Sequence, residues 1–250
     1  MNIKEKKIVV FDLDGTLAES KQALDEDMMR LLPDLLSNRK VAIITGGGLP
    51  QLQKQVISKL PQDIEKLRKL YLFPTKGAAM YSFDGTDWQK IYQKKLTDEE
   101  KEKIIDAFDK TLANIDFMPK EQFGELLEDR GSQFTFSALG QDAPSELKKI
   151  WDKDALKRLE IKKQLDKYLS DFAVEIGGTS SIDITEKSID KAYAIEKICE
   201  FLNLEKKDIL FIGDAIFPGG NDYSVVKTGV DYINVADHNE TKKIITDIIS

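Results

Sequence analysis

The sequence predicts an α/β protein, with a doubly wound parallel-sheet core that is interrupted by an inserted α+β domain. In the two end portions of the chain, short apolar runs without alternation are each followed by a glycine-containing loop and then by a helix-period segment. Such runs are typical of parallel strands that are covered on both faces. In the middle of the chain, strand pairs and long helices replace this repetition, which indicates a separate α+β unit.

The core elements follow from the apolar runs and from the helix-period segments between them. The runs IVVF, VAIIT, ILFIGD and VDYINV predict core strands over 8–11, 41–45, 209–214 and 230–235. The segments with helical periodicity predict core helices over 22–37, 49–60, 190–202 and 239–249. In an open sheet of this kind, the ligand crevice lies at the carboxyl ends of the strands.

The inserted domain is predicted to cover residues 82–187, which leaves 1–81 and 188–250 for the core. It begins in a hairpin that turns at Asp84-Gly85, and a Thr97/Glu100 capping box then opens a helix. Further strands are predicted around GSQFTFSAL and over the pair 172–178 and 180–185, with a long helix over about 154–170 between them.

Composition and charge exclude several classes of function. The formal charge of -7 gives no reason to expect nucleic acid as a partner. One cysteine excludes a disulfide within the chain, and a single histidine excludes histidine-based triads and zinc sites. No apolar run approaches the ~20 residues that cross a bilayer, and the amino terminus has no apolar signal core. We therefore expect a cytoplasmic protein that does not bind membranes.

Two carboxylates, Asp12 and Asp14, follow the first apolar run directly in VVFDLDGT. A carboxylate at a strand end can attack phosphorus and form an aspartyl-phosphate, and we expect Asp12 to face solvent there. Attack on a phosphate dianion is opposed electrostatically, so cations must be supplied at the site. A hard, oxygen-ligated ion such as Mg²⁺ together with a lysine would supply them.

Later parts of the sequence offer ligands for such a cation. The stretch GDAIFPGGND follows a predicted strand and carries Asp214 and Asp222, with Asn221 as a neutral oxygen ligand. We predict a Mg²⁺ site from these residues and the carboxylates of DLDGT.

Three further residues are predicted to contact the phosphoryl group. Lys191 lies in the first turn of a predicted helix, and Thr45 ends a strand ahead of three glycines, where the backbone N–H of Gly46 is open. Each feature alone has a structural interpretation: a capped turn for D-x-D-G, a plain turn for the threonine and a solvated side chain for the lysine. Their order, each at a strand end or a helix start, favours a shared site.

Together, DLDGT, Thr45, Lys191 and GD...ND resemble the four motifs of the haloacid dehalogenase-like phosphotransferases. The inserted unit resembles the large α/β cap of that superfamily. More narrowly, FDLDGTLAESK, EDRGS, GGTSSID and GDAIFPGGNDY resemble the eukaryotic-type phosphomannomutase branch. The resemblance implies that Asp12 is the nucleophile, and that Asp14 is the acid and base, with its backbone carbonyl on Mg²⁺. It also implies that Asp214 is a metal ligand and that Lys191 holds the phosphoryl oxygens.

The resemblance also implies substrate-binding residues, chiefly in the cap. Arg130, Ser181 and Asp183 match positions that hold the sugar or its distal phosphate, and Lys21 falls where the mutases carry an arginine. Gln141 stands where the mutases have a further arginine, and another mutase arginine aligns with Lys148.

Further departures from the mutase pattern influence the predicted reaction. The mutase segment Glu-Asn-Gly is here Thr75-Lys76-Gly77. A mutase must also hold a bisphosphate in two orientations, and glutamine at 141 removes a charged clamp from the cap. We therefore expect a phosphatase acting on a small, sugar-like phosphate ester, with a phosphomannomutase-like isomerase as the alternative.

A third reading is a non-catalytic phosphosugar-binding protein. It predicts the loss of a catalytic carboxylate, yet the three proposed carboxylates are present. A homodimer is left open.

Overall fold

The computed structural model describes residues 2–177 and 179–250. Its strands are, in chain order, β1 (Ile8–Asp12), β2 (Lys40–Ile44), β3 (Leu70–Phe73), β4 (Ala79–Phe83), β5 (Trp88–Gln93), β6 (Leu127–Asp129), β7 (Gln133–Ser137), β8 (Phe172–Ile176), β9 (Ser181–Glu186), β10 (Ile209–Gly213) and β11 (Asp231–Asn234). Its α-helices are α1 (Glu26–Asn38), α2 (Leu49–Gln55), α3 (Ile64–Leu67), α4 (Asp98–Leu112), α5 (Ser145–Trp151), α6 (Leu156–Tyr168), α7 (Lys191–Leu202) and α8 (His238–Ile249).

The core unit is built on a seven-stranded sheet in the order β11-β10-β1-β2-β3-β4-β5. The first five strands in that order are parallel, whereas β4 and β5 are antiparallel to their neighbours. Strand β1 is fully buried and lies between β2 and β10. The doubly wound parallel-sheet core that the sequence predicts is therefore confirmed.

Helices cover both faces of the core sheet, as the continuous apolar runs require. Val9 and Phe11 of β1 pack on one face with residues of α1, α2 and α8. Ile8 and Val10 pack on the other face with Ala194 and other residues of α7. This sandwich makes β1 the rigid centre of the unit and fixes the position at which the strand ends.

The inserted unit has its own sheet and its own apolar core. Its strands run in the order β6-β7-β9-β8, and every pairing is antiparallel. Helix α4 begins at the predicted capping box, in which Thr97 accepts from the Glu100 amide and Glu100 accepts from the Thr97 amide. Apolar side chains of α4 and α6 pack on one face of the sheet, which leaves the other face to polar residues.

The structure divides the chain at other residues than the sequence analysis did. The core unit contains residues up to Gln93 together with Ile189–Ser250, and the inserted unit is Lys94–Ser188. The predicted boundary at 82 falls inside strand β4, because the hairpin β4–β5 extends the core sheet next to β3. A local hairpin pattern does not reveal which sheet the hairpin joins, since that depends on a non-local pairing.

Several predicted elements also have different limits. The first predicted helix, 22–37, begins only after Asp25, whose side chain accepts from the Met28 amide at 2.9 Å and caps α1. The apolar runs and helix-period segments did not predict strand β3, helix α3 or helix α5. Gly178, which the sequence analysis placed in a strand, lies outside the described residues. Within the described residues, no helix is long and apolar enough to span a membrane.

Candidate active site in the core unit

The carboxyl ends of three adjacent parallel strands bring together residues that are far apart in sequence. Asp12 is the last residue of β1, Thr45 follows β2 and Asp214 follows β10. Because β2 and β10 flank β1, these positions share one edge of the sheet. This is the juxtaposition that the strand-end pattern predicts.

Lys191 lies at the centre of this cluster, at the start of α7. Asp190 caps that helix by accepting from the Tyr193 amide at 2.9 Å, which sets the direction of the first turn. The Lys191 ammonium donates to Asp12 Oδ1 and to Asp222 Oδ1, and its side chain is 2% exposed. A buried ammonium paired with two carboxylates is held in place and cannot be a solvated surface lysine.

Asp222 reaches the cluster because a glycine lies against it. A Cβ added to Gly213 would come within 2.4 Å of Asp222 Oδ2, so a larger residue at 213 would displace this carboxylate. Asp222 Oδ2 accepts from the Ala215 amide at 3.0 Å, and Oδ1 accepts from Lys191. Both oxygens therefore have a hydrogen-bond donor, and Asp222 holds Lys191 against Asp12.

The cluster carries an excess of negative charge. Oxygens of Asp12, Asp214 and Asp222 all lie within 4.8 Å of one another, and Lys191 is the ammonium that pairs with two of them. Three carboxylates and one ammonium leave a formal charge of about -2 where little water can screen it. The site therefore favours a divalent cation.

The pKa directions reflect this excess charge. Burial raises the pKa of Asp12 to about 7, helped by repulsion from Asp222 and opposed by attraction to Lys191. Burial and the Asp222 carboxylate also raise the pKa of Asp214. Burial alone would lower the pKa of Lys191, but Asp12 and Asp222 outweigh it and raise that pKa. Lys191 therefore stays charged, whereas Asp12 holds its charge only at a cost in free energy.

The donor set fits a magnesium ion. Asp12 Oδ2 is buried and has no hydrogen-bond partner in the part of the chain that the structure describes, so one carboxylate oxygen remains for a cation or for phosphorus. Carboxylate oxygens are the ligands that Mg²⁺ prefers. Asn221, the predicted neutral ligand, is exposed beside buried Asp222, and its role stays a prediction.

The expectation that Asp12 faces solvent is wrong, because the side chain is only 4% exposed. Lys191 lies against one of its oxygens, and the Asp214 and Asp222 carboxylates from the loop after β10 lie close by. Burial of this kind cannot be read from the DLDGT motif itself, since the groups that cover Asp12 come from the other end of the chain.

Asp14 is held by two donors. Asp14 Oδ1 accepts from the Lys21 amide at 2.5 Å, and Oδ2 accepts from Gln51 Nε2 at 2.8 Å. Lys21 therefore contacts Asp14 through its backbone, and the assignment of its side chain to substrate stays a prediction. Gln51, in the first turn of α2, had not been identified. A Cβ on Gly47 would fall 1.6 Å from Gln51 Oε1, so Gly47 leaves room for that side chain.

Gly15 and Thr16 fix the position of Asp214. Gly15 adopts φ +90°, and a Cβ there would lie 2.4 Å from Asp214 Oδ2. Thr16 Oγ1 donates to Asp214 Oδ1 at 3.2 Å from a fully buried position. The tight turn after Asp14 thus allows the two carboxylate-bearing loops to approach each other. Thr16 had not been named as a site residue.

Thr45 and Gly46 lie at the end of β2. Thr45 is buried, and its Oγ1 accepts from the Gly47 amide at 3.2 Å. A Cβ added to Gly46 would meet no atom within 4 Å, so open space adjoins this backbone. Lys76, noted in the sequence only as a departure from the mutase pattern, is buried and donates its amide to Thr45 O at 2.8 Å. Because Lys76 follows a core strand, the sequence could have indicated it as a further candidate site residue.

Within the inserted unit, the predicted cations already have partners. The Arg130 guanidinium donates twice to Glu128 Oε2, at 2.8 and 2.6 Å. Lys148 Nζ donates to Gln141 O at 2.7 Å, and Gln141 Nε2 donates to Thr135 O at 2.8 Å. The structure thus brings Gln141 and Lys148 together, while Arg130 is paired with an acid of its own strand pair.

Ser181 and Asp183 lie on strand β9 and point to the same face, since they are two residues apart. A Cβ on Gly177 would come 2.7 Å from Ser181 Oγ and 3.0 Å from Asp183 Oδ2, so both side chains lie against this glycine. Asp183 Oδ1 accepts from Thr135 Oγ1 at 2.8 Å. Thr135 had not been predicted, because its relevance depends on the register between β7 and β9.

Comparison with known proteins agrees with this fold. A family model described as haloacid dehalogenase-like hydrolase matches residues 9–232. The chain belongs to this family.

Curated relatives place the chain more narrowly within the family. The chain is 27% identical over 233 residues to a phosphomannomutase of Spinacia oleracea, which covers 90% of this chain and 88% of the relative. It is 26% identical over 256 residues to a phosphomannomutase of Saccharomyces cerevisiae, which covers 99% and 96%. The resemblance to the phosphomannomutase branch is thereby confirmed.

Among solved structures, an N-terminally truncated IMP-nucleotidase of Plasmodium falciparum aligns with a TM-score of 0.70 at 16% identity, over 98% of this chain and 71% of that one. This likeness concerns the fold.

Proposed function

We propose that this protein hydrolyses a small, sugar-like phosphate ester through an aspartyl-phosphate on Asp12, with Mg²⁺ as cofactor. Family membership supports phosphoryl chemistry, and the buried cluster of Asp12, Lys191 and Asp214 supports the assignment of the site. The proposal favours catalysis over phosphosugar binding alone, because Asp12, Asp14 and Asp214 are all retained.

In the first step, an oxygen of Asp12 attacks phosphorus and the bond between phosphorus and the ester oxygen breaks. Asp14 donates a proton to the departing oxygen, which leaves as an alcohol. In the second step, Asp14 accepts a proton from water as that water attacks the phosphorus. The aspartyl bond breaks, inorganic phosphate is released and Asp12 is regenerated.

The chain's own cations oppose the repulsion between Asp12 and the incoming phosphate. Lys191 places one positive charge against Asp12 Oδ1, and Asp222 holds it there. Thr45 and the Gly46 amide are assigned to phosphoryl oxygens, which is compatible with the open space at Gly46. Magnesium, held by Asp12, Asp214 and the Asp14 carbonyl with Asp222 and Asn221 nearby, would supply electrostatic stabilisation of the phosphoryl oxygens.

Hydrolysis is proposed over isomerisation because of one residue in the inserted unit. Gln141 carries no charge, and its amide nitrogen is already bonded to Thr135 O. A bisphosphate that must bind in both orientations would lose a bidentate guanidinium contact there. Arg130 and Lys148 remain as candidate cations, and Arg130 is partly neutralised by Glu128. Ser181 and Asp183 are assigned to the sugar.

A phosphomannomutase-like isomerase is the second candidate. The observation that favours it is the set of curated relatives named phosphomannomutase, because this chain aligns with them along nearly their whole length. In that case Lys21, Arg130 and Lys148 would have to suffice as the anion clamp. A cytoplasmic location and the absence of nucleic-acid and membrane partners rest on the sequence alone, and the oligomeric state is left open.

The decisive experiment follows the phosphoryl group in one reaction. With Mg²⁺ and mannose 1-phosphate or mannose 6-phosphate, we expect release of inorganic phosphate, and mannose 1,6-bisphosphate should not accelerate interconversion beyond hydrolysis. Asp12→Asn should remove both activities. Isomerisation that requires the bisphosphate and outruns phosphate release would establish the mutase instead.

A matched pair of variants tests the role of residue 141. Gln141→Arg should tighten inhibition by the bisphosphate about tenfold or more, because a charged hydrogen bond is restored. Gln164→Arg adds the same charge on helix α6 and should leave inhibition unchanged. Equal effects of the two variants would show that only net charge matters.

A further inference from the structure

The polar face of the inserted sheet is organised by the register of β7 and β9. Phe134, Phe136, Ile182 and Ile184 belong to the apolar core, so the alternate residues of both strands lie on the opposite face. On that face the paired residues are Gln133 with Thr185, Thr135 with Asp183 and Ser137 with Ser181. Asp183 therefore lies directly across from a buried threonine.

Two hydrogen bonds connect the interior of this face to Asp183. Thr135 Oγ1 lies 2.8 Å from Asp183 Oδ1, and Gln133 Nε2 lies 2.9 Å from Thr135 Oγ1. Thr135 is 4% exposed and Gln133 is fully buried, so water does not compete for either bond. The chain of contacts is therefore a fixed part of the unit.

The direction of these bonds follows from the chemistry of the groups. An ionised carboxylate can only accept, so the single hydroxyl hydrogen of Thr135 goes to Asp183. The threonine oxygen then accepts, and the amide nitrogen of Gln133 is the donor that faces it. The two hydrogen bonds set the orientation of the Asp183 carboxylate.

We propose that Thr135, oriented by Gln133, is a positioning residue that holds Asp183 as the acceptor for a hydroxyl group of the substrate. This rests on the proposed function, in which Asp183 contacts substrate. A second phosphate of the substrate would offer only negative charge and acceptors to Asp183, which repel a carboxylate. A hydroxyl group can donate to a carboxylate, which accepts several hydrogen bonds, so the substrate class is a phosphate ester whose alcohol portion carries further hydroxyl groups.

Asp183 is also fixed from its other side. Its Oδ2 lies against Gly177, whose backbone is itself held, because Arg158 Nη1 donates to Gly177 O at 2.9 Å and the Gly177 amide donates to Ser181 O at 2.9 Å. These backbone contacts do not involve Thr135, so loss of the Thr135 hydroxyl should misdirect the carboxylate rather than unfold the unit.

The test compares valine at two buried threonines of the same face. Thr135→Val removes the donor to Asp183, whereas Thr185→Val removes a buried hydroxyl for which the described residues provide no hydrogen-bond partner. Both changes keep the shape of the side chain. Binding is measured by calorimetry with Mg²⁺ and mannose 6-phosphate in the Asp12→Asn background, and KM and kcat are measured in the otherwise unaltered enzyme.

We expect Thr135→Val to weaken mannose 6-phosphate binding and raise its KM about tenfold with kcat nearly unchanged, because one orienting bond to a charged group is lost. For p-nitrophenyl phosphate, whose leaving group has no further hydroxyl, KM should stay the same. Thr135→Ser should restore binding, and Thr185→Val should leave it unaltered.

Other outcomes separate this inference from the proposed function. If Asp183→Ala weakens binding but Thr135→Val does not, the positioning role is overturned while the assignment of Asp183 stands. If Asp183→Ala has no effect, or mannose 6-phosphate does not bind, both the role of Asp183 and the inference are overturned. If binding follows the expected pattern but no phosphate is released, the hydrolytic function fails and the inference survives.

Discussion

Neutralising Asp12 should stabilise the metal-free protein, although we expect it to abolish turnover. The pKa of Asp12 is raised from 3.8 to about 7 by burial, with Lys191 opposing the shift and Asp222 adding to it. A raised folded-state pKa means that stability is fully present below the unfolded value and is lost as the pH rises through about 7. The difference of about 3 pKa units corresponds to a loss of up to about 4 kcal/mol in the free energy of unfolding.

Urea unfolding with a chelator present, followed by circular dichroism, measures this loss. Near pH 4 the wild type and Asp12→Asn should unfold at similar urea concentrations. By pH 8 the free energy of unfolding of the variant should exceed that of the wild type by up to about 4 kcal/mol. Mg²⁺ should then stabilise the wild type more than the variant, because it balances the charge that the substitution removes. Asp171→Asn is the control, since Lys103 lowers the pKa of Asp171 and its neutralisation should not stabilise. A less stable Asp12→Asn protein at pH 8 without metal would refute the reasoning.

Two further predictions concern other parts of the chain. Arg158→Met leaves the buried Asp152 carboxylate without its guanidinium, so the free energy of unfolding measured in urea should fall by about 3 kcal/mol. The control, Lys162→Met, breaks an exposed ion pair within a helix and should change that free energy by less than about 0.5 kcal/mol. Similar losses for the two variants would contradict a structural role for the buried pair. Gly15 has a positive φ, and Gly15→Ala would place a methyl group against Asp214. The rise in thermal midpoint caused by Mg²⁺ should therefore be smaller in this variant. An unchanged response to Mg²⁺ would show that the turn relaxes without moving the Asp214 carboxylate.

Much of the candidate site could be predicted because parallel strands end at one edge of a sheet. Asp12, Thr45 and Asp214 follow strands, and Lys191 starts a helix, so their convergence needs no knowledge of side-chain packing. The burial of Asp12 could not be predicted, because the covering groups come from about 180 residues away along the chain.

The residues that escaped prediction depend on pairings between distant segments. Thr135 meets Asp183 only through the register of two strands that are separated in sequence by two helices and a further strand. Gln51 reaches Asp14 only because Gly47 leaves space for it. The local sequence of the hairpin β4–β5 is likewise compatible with either domain, and its pairing with β3 assigns it to the core unit.

The position of β10 has a consequence for synthesis on the ribosome. Strand β1 needs β10 as its neighbour on one side, yet residues 209–213 are made after the whole inserted unit of residues 94–188. The nascent chain can therefore complete the inserted unit while β1 still exposes an unpaired edge. Asp12 would meet Lys191 and Asp214 only after translation has passed both, so a truncated chain would carry the inserted unit without an assembled candidate site.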